Sequence, residues 1–399
     1  MQAAAETEPQ RRPLPASRWT QARTMTAALV LQFSLGLVYV WGQVAPYVRA
    51  HSQWPPLLVS CVWSAGPIGY AIGMVAAGRL ADRVPPRRLC WSSLGLMAFG
   101  LGTAFAFPSG PTFVLLYAFL GLGMGGGVGM AGSLAAGVQV FRGRVGAVGG
   151  AVTGSYALAA LVQVPVAAWL LPSLGWTDTV RVMGVALVLL AGLALAMMPP
   201  LPGPPQAQVA ERIEPAHRMF LRPLIWTGYL LELCSSTVGS HAFVNVVTYA
   251  RGLQLPVALA TAALTTVAAG NAVGRLGGGA AADRFGVHAV LLAILLLNLA
   301  GAVLLSRAGA GTLLIATVAV GLGFGAPAGI LSRLAAQAMP LAPHSAFGLL
   351  FMGYAAGSFS GPLIGAVLGA SSLSWLLMTG FPLAGLVLLA YRSRFAPSA

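Results

Sequence analysis

Lysine is absent from this 399-residue chain, acidic residues number 8, and charged side chains make up only 8% of it. Ordinary globular domains carry about 25% charged residues, and disordered chains are richer still in polar and charged ones, so both classes are excluded. Cysteine is scarce too. Cys61, Cys90 and Cys234 stand in or beside apolar segments without ligand-type spacing, which sets aside a disulfide framework or a zinc site and leaves three small buried side chains. Also missing are paired catalytic carboxylates, metal-type histidine spacing and a nucleophile with its base, so a membrane-embedded enzyme is not expected. No Walker-type phosphate loop occurs either, which argues against a primary pump. Neither a cofactor nor a metal is expected.

What is present is oil: 57% of residues are hydrophobic and the mean hydropathy is +0.82. A helix needs about 20 apolar residues to cross a hydrocarbon layer roughly 30 Å thick, so this length holds about a dozen crossings and no sizeable soluble domain. Met1 to Trp19 are polar and include Arg11, Arg12 and Arg18. The apolar stretch that follows is too long for a signal-peptide core and lacks a clean cleavage site; it reads as the first span. Six spans fit near Met25 to Val48, Leu57 to Gly78, Leu89 to Phe107, Thr112 to Gly137, Gly146 to Leu171 and Val180 to Met198. Six more fit near Pro223 to Tyr249, Pro256 to Ala281, Val287 to Leu305, Thr312 to Ala338, Ser345 to Leu368 and Leu373 to Tyr391. The expectation is an all-α membrane protein of two pseudo-symmetric six-helix bundles. Its parts are a tail over 1–24, a bundle over 25–198, a proline- and charge-rich linker over 199–222, a bundle over 223–391 and a tail over 392–399.

With both termini cytoplasmic, seventeen arginines fall on inner segments and four (Arg49, Arg181, Arg251 and Arg307) on outer ones, with Arg275 left inside a span. That asymmetry follows the positive-inside bias. It places the chain in a cell (inner) membrane and accounts for the formal charge of +14 without a nucleic-acid partner. The halves also repeat. "GLGMGGGVG" at Gly121 to Gly129 answers "GLGFGAPAG" at Gly321 to Gly329, and Asp82-Arg83 answers Asp283-Arg284, at offsets of 200 and 201 residues. Internal symmetry of this kind marks secondary transporters, whose halves rock about a central site. The literal G-x-G-x-x-G at Gly121 to Gly126 has no preceding strand and no acidic residue in the following 25 or so positions, so it is not a dinucleotide site. Its glycines at every fourth position let neighbouring helices approach.

After the second span stands "GRLADRVPPRR", Gly78 to Arg88, which resembles the cytoplasmic loop signature of the major facilitator superfamily. Gly78, Leu80, Ala81, Asp82, Arg83, Arg87 and Arg88 match it, while Pro85 replaces the usual glycine. A weaker copy carries Gly279, Asp283, Arg284 and Gly286. The resemblance implies that Gly78, Asp82, Arg83, Arg87, Asp283 and Arg284 act in conformational gating on the cytoplasmic side. Gly36, Tyr39, Trp41 and Gly42 in the first span, with Asn271, Gly274 and Arg275 in the eighth, are similar to the oxalate/formate antiporter and monocarboxylate transporter branch. So is the Gly361-Pro362 pair in the eleventh. In that branch the arginine at the place of Arg275 binds the substrate's carboxylate. Animal monocarboxylate transporters carry an aspartate where this chain has Asn271 and a lysine in the first span, where it has Gln43, so their proton route does not carry over. The oxalate exchanger's second cation in the eleventh span has no counterpart between Ser345 and Leu368.

Independently of any family, an arginine about 12 Å into the membrane costs at least about 2.5 kcal/mol, so Arg275 is expected to face a polar cavity and an anion. Its planar fork suits a carboxylate. Asn271 lies one turn away on the same face, and Gln32, Gly36, Tyr39 and Gln43 form a stripe in the first span. Arg275, Asn271, Tyr39, Gln32 and Trp41 are therefore the candidate substrate contacts, with Tyr156 and Gln163 behind them. Glu232, at similar depth in the seventh span, is a candidate charge partner of Arg275 or a proton carrier, because desolvation disfavours a buried carboxylate and a nearby cation favours it. His241 and Asn245 read as a hydrogen-bonded helix contact, and Arg333 as a side chain that snorkels to the interface. The expected function is alternating-access transport of a small organic anion, a monocarboxylate, by proton coupling or anion exchange, in a monomer. The alternative is a carrier of another class of substrate such as a drug or sugar.

Overall fold

The computed structural model describes residues 17–81, 84–141, 144–202, 222–339 and 343–395. Among them all regular structure is helical, as lipid demands: with no water to satisfy a peptide group, each helix closes its own hydrogen bonds. Twelve crossings result. They are α1 (Arg18–His51), α2 (Pro56–Ala81), α3 (Pro86–Ala106), α4 (Gly110–Val140), α5 and α6 (145–174 and 176–197), α7 (Pro223–Gly252), α8 (Val257–Phe285), α9 (Val287–Ser306), α10 (Leu313–Ala338), α11 (Pro343–Leu368) and α12 (372–395). α5 and α6 are joined without a loop, the chain reversing at Gly175, whose φ of 71° is a left-handed value that glycine adopts without strain. The expected linker over 199–222 lies mostly outside the described residues, as do Asp82 and Arg83.

Ser17 starts α1 as an N-cap, its Oγ accepting from Thr20 N at 3.1 Å. Within α1, Gly36 to Val40 wind as a tighter 3₁₀ turn. A Cβ on Gly36 would stand 2.8 Å from the Tyr156 carbonyl oxygen, so only glycine lets α1 lie this close to α5. The glycine stripes act in the same way: a Cβ on Gly125 would come within 3.2 Å of Ser93 O in α3, and one on Gly325 would sit 2.8 Å from the Cα of Asn271 in α8. Outward faces are apolar, as with Leu189 and Leu193 of α6, which are 67% and 66% exposed. Lipid, not water, is their solvent.

The halves meet where α2 lies on α11 and α5 on α8, so each half offers its second and fifth helix to the other. Four hydrogen bonds cross this seam among the described residues. Asn271 Nδ2 donates to Tyr39 OH (3.5 Å), Ser64 Oγ to Phe359 O (3.0 Å), Gln43 Nε2 to Thr261 Oγ1 (3.2 Å) and Arg49 Nη1 to Thr248 Oγ1 (2.8 Å). The first lies at mid-depth. The others lie towards the face opposite the chain termini.

Candidate functional site

Arg275 stands ten residues before the end of α8, about 15 Å along the helix axis and so near the middle of a bilayer core about 30 Å thick. It is 5% exposed. One turn earlier Asn271 accepts from its Nε at 3.1 Å, which leaves both terminal nitrogens of the guanidinium without a hydrogen-bond acceptor among the described residues. Arg275 borders a cavity of about 20 Å³ at the seam. Its wall is aromatic: Tyr39 from α1, Trp63 and Tyr70 from α2, Tyr156 from α5, and Phe351 and Tyr354 from α11. The guanidinium carbon lies 6.0 Å from the ring centre of Tyr156 and 5.9 Å from that of Tyr354, at the outer reach of cation–π attraction. The rings brace one another, with centroids 5.3 Å apart for Tyr39 and Tyr156, 5.0 Å for Tyr70 and Phe351, and 4.7 Å for Phe351 and Tyr354.

The space holds on the order of one water, so the rings must part before a substrate enters. A buried cation normally needs a partner. Yet the ion pairs among the described residues join Arg181 to Asp178 and Arg333 to Asp283, and no carboxylate pairs with Arg275.

Three of the expected contacts, Arg275, Asn271 and Tyr39, thus converge. Gln32 and Trp41 do not. Gln32 Nε2 reaches Ser133 Oγ of α4 at 3.4 Å, and Trp41 Nε1 donates to Val59 O at 2.8 Å with its ring against Phe113 and Tyr117. Both are packed inside the N-terminal half. For Gln32 the cause is the 3₁₀ turn: five residues advancing about 120° rather than 100° each rotate the second part of α1 by about 100°, which splits the expected stripe; Trp41, two residues from Tyr39, leaves the opposite side of the helix. Gln43 accordingly meets Thr261. Glu232 makes no ion pair with Arg275 among the described residues: it is 4% exposed and borders a cavity among α7, α9 and α10. It stays within electrostatic reach of Arg275 and of Tyr354 in the wall of the Arg275 cavity. Gln163 ties α5 to α1 through Phe33 O at 2.7 Å, and His241 ties α7 to α11 through Gly361 O at 2.9 Å, with Asn245 beside it. Tyr70, Tyr354, Trp63 and Phe351 were not foreseen. The signal available was Tyr354 itself, inside the eleventh-span stretch read only for its Gly361-Pro362 pair.

Residues 24–260 match the family described as Major Facilitator Superfamily. The chain belongs to that superfamily. It is similar to the uncharacterized MFS-type transporter YhjX of Escherichia coli (strain K12), 24% identical over 351 residues that cover 86% of each chain. Among solved structures, the nucleoside transporter NupG superposes with a TM-score of 0.72 at 12% identity, covering 94% of this chain and 100% of that one. A bacterial homolog to the human lysosomal transporter Spinster, inward-facing and unoccupied, gives 0.70 at 13%, covering 96% and 100%. At such identities the likeness establishes the fold alone. This chain is therefore a multi-pass membrane transporter of the major facilitator type.

In this major facilitator chain the loop motif lies on the face that carries the termini. A Cβ at Gly78 would meet open space. Arg87, at the start of α3, has a buried Nε without a partner. In the second copy Asp283 pairs with Arg333 of α10, and the Arg284 guanidinium lies 5.3 Å over the Phe285 ring. Arg333 therefore ties α10 to α8 instead of ending free at the interface. The side chains of this pair are 76% and 44% exposed, and such pairs are worth at most about 1 kcal/mol. A contact of that strength is easily broken and remade.

Proposed function

We propose that this transporter carries a small organic anion bearing a single carboxylate, with Arg275 as the group that holds it. The observation that carries the reading is Arg275 at the seam, which borders a cavity and pairs with no carboxylate among the described residues. A monocarboxylate completes that site with a bidentate pair, the strong form of charge-assisted hydrogen bond. Asn271 fixes the fork through Nε, and Tyr39 presents its hydroxyl beside it. One cation balances one carboxylate, which disfavours dicarboxylates. The similarity of the first and eighth spans to the monocarboxylate transporter branch supports the same class.

The cavity wall is drawn from both halves, so rocking one half against the other exposes the bound anion to alternate sides. The arginine-rich face that carries the termini is cytoplasmic on this reading, the membrane is the cell (inner) membrane, and Asp283 and Arg284 with the loop after α2 gate that side. The unit is a monomer. Energy comes from a proton gradient or from exchange against another anion.

A second reading, a carrier of flat apolar compounds such as drugs, or of sugars, draws on the six aromatic side chains of the wall. Counterflow in proteoliposomes separates the two. Labelled pyruvate and lactate are expected to exchange, whereas succinate, uridine, glucose and a cationic dye are not. Exchange of uridine, glucose or the dye with none of pyruvate or lactate refutes the anion reading.

A further inference from the structure

The aromatic wall of the Arg275 cavity contains a polar atom that the carboxylate reading does not use. Trp63 is 1% exposed and borders that cavity, and its Nε1 is buried without a hydrogen-bond acceptor among the described residues. Trp41 shows what an indole packed inside this chain does instead: its Nε1 donates to Val59 O at 2.8 Å. An indole nitrogen is a donor only, and a buried donor left unpaired is costly. The Trp63 N–H therefore suits an acceptor brought in from outside, and it has nothing to offer a cation.

The sequence of α2 carries the indole to this place. Trp63, Gly66, Pro67 and Tyr70 recur at the three- and four-residue spacing of one helical face, and all four border the cavity. Ser64, the next residue, donates to Phe359 O of α11 at 3.0 Å and pins α2 to the opposite half at this level. The ring itself is held by its neighbours. It stacks on Phe243 of α7 with centroids 5.3 Å apart and planes 13° from parallel, and the Tyr39 ring lies 5.8 Å away. Tyr39 sets the scale of the site. Its hydroxyl meets Asn271, the residue that fixes the Arg275 fork, while its ring neighbours Trp63, so the indole stands about one ring beyond the place where a carboxylate is held.

We propose that Trp63 determines specificity by donating its indole N–H to an oxygen that the carried anion bears beyond its carboxylate. The substrate class is then a monocarboxylate with a hydroxyl or oxo group on a short carbon chain, in preference to an unsubstituted acid of the same length. The inference rests on the carboxylate reading of Arg275 and deepens it. An oxygen on the entering chain takes the indole N–H in place of water, whereas a bare methylene removes the water and returns nothing. A site built to hydrogen-bond an oxygen rejects the analogue that lacks it, and for one neutral donor left unpaired the loss is roughly five- to a hundredfold in affinity. Trp63 belongs to the N-terminal half and Arg275 to the C-terminal half. An anion held at both ends ties the halves together, and one held by its carboxylate alone does not.

The test is competition binding to the full purified chain by lactate and propionate, which differ by one hydroxyl, with pyruvate beside them. Wild type is expected to bind lactate and pyruvate at least about fivefold more tightly than propionate. Trp63→Phe keeps an aromatic ring against Phe243 and removes the N–H, and it is expected to bring the lactate-to-propionate ratio close to one. Damage to packing alone weakens all three acids together and leaves that ratio standing. Equal wild-type affinities for lactate and propionate, or a ratio that survives in Trp63→Phe, overturn the proposal and leave the Arg275 reading intact. Where Trp63→Phe does not fold, wild type labelled with nitrogen-15 at its nine tryptophan indoles decides. One indole N–H resonance that moves with lactate and stays in place with propionate supports the proposal, and the absence of such a resonance overturns it. If none of the three acids binds, the carboxylate reading of Arg275 fails and the inference falls with it.

Discussion

Replacing Arg275 by alanine separates a binding arginine from a structural one, because the two roles predict opposite outcomes for stability. The side chain makes one charge-assisted bond, from Nε to Asn271 Oδ1 at 3.1 Å, worth about 1.5–3 kcal/mol. Its two ring contacts at 5.9 and 6.0 Å add about 0.5–1 kcal/mol each at most. Against these stands the cost of keeping an arginine at mid-membrane, at least about 2.5–3.5 kcal/mol. The opposing quantities are nearly equal, so thermal unfolding of Arg275→Ala in detergent is expected within a few degrees of the wild type. Binding behaves otherwise. A carboxylate held at a buried guanidinium loses about 3–5 kcal/mol when its partner is removed, which at about 1.4 kcal/mol per decade is a weakening of roughly a hundredfold to several thousandfold. Arg275→Lys, which keeps the charge but not the planar fork, should fall between. Scintillation-proximity binding of labelled pyruvate measures the affinity and differential scanning fluorimetry the stability. Unchanged pyruvate affinity in Arg275→Ala, or a fall in stability as large as the fall in binding, refutes the reasoning.

Tyr39→Phe removes one neutral hydroxyl beside the fork and should weaken pyruvate binding by about 0.5–1.5 kcal/mol, while Gln32→Ala and Trp41→Ala should lower the melting temperature and leave pyruvate affinity intact. Gly325→Leu drives a side chain into the backbone of Asn271, 2.8 Å from its Cα, so the monodisperse peak in size-exclusion chromatography should be lost. Gly277→Ala on the same stretch of α8, where a Cβ meets nothing within 4 Å, should instead gain about 0.5–1 kcal/mol. Arg49→Ala removes a charged donor from Thr248 across the seam, which is worth about 1.5–3 kcal/mol and therefore shifts the balance of conformers about tenfold or more. Electron–electron resonance between spin labels at positions 51 and 253 should then show a longer distance, and an unchanged distribution counts against the seam contact as a gate.

The fold was legible because lipid leaves few options: composition set the solvent, span length set the crossings, and the repeat of Gly121 to Gly129 at Gly321 to Gly329 tied the halves together. Arg275 and Asn271 were legible for a local reason, since a spacing of four on any helix brings two side chains to one face. Tyr70, Tyr354, Trp63 and Phe351 were not, because an aromatic ring in an apolar helix reads the same whether it packs or lines a cavity. The stripe through Gln32 and Tyr39 failed on a change of helical pitch that a fixed period of 3.6 does not contain. Glu232 was read as a charge partner of Arg275 or a proton carrier from depth along the membrane normal, which is one coordinate of three; the two stay within electrostatic reach without forming an ion pair among the described residues.

The hydrogen bonds that stitch the two halves run from mid-depth towards the face away from the termini, and among the described residues none lies nearer the termini. An inhibitor is thereby given a side. A bulky, membrane-impermeant blocker applied opposite the termini meets a seam clasped by Arg49, Gln43 and Ser64, whereas a compound released into the compartment where the termini lie meets no hydrogen bond across the seam among the described residues. Pharmacology against this porter in the conformation described has to be designed for delivery to that compartment, and a prodrug that crosses the bilayer and is unmasked there is the form such a molecule would take.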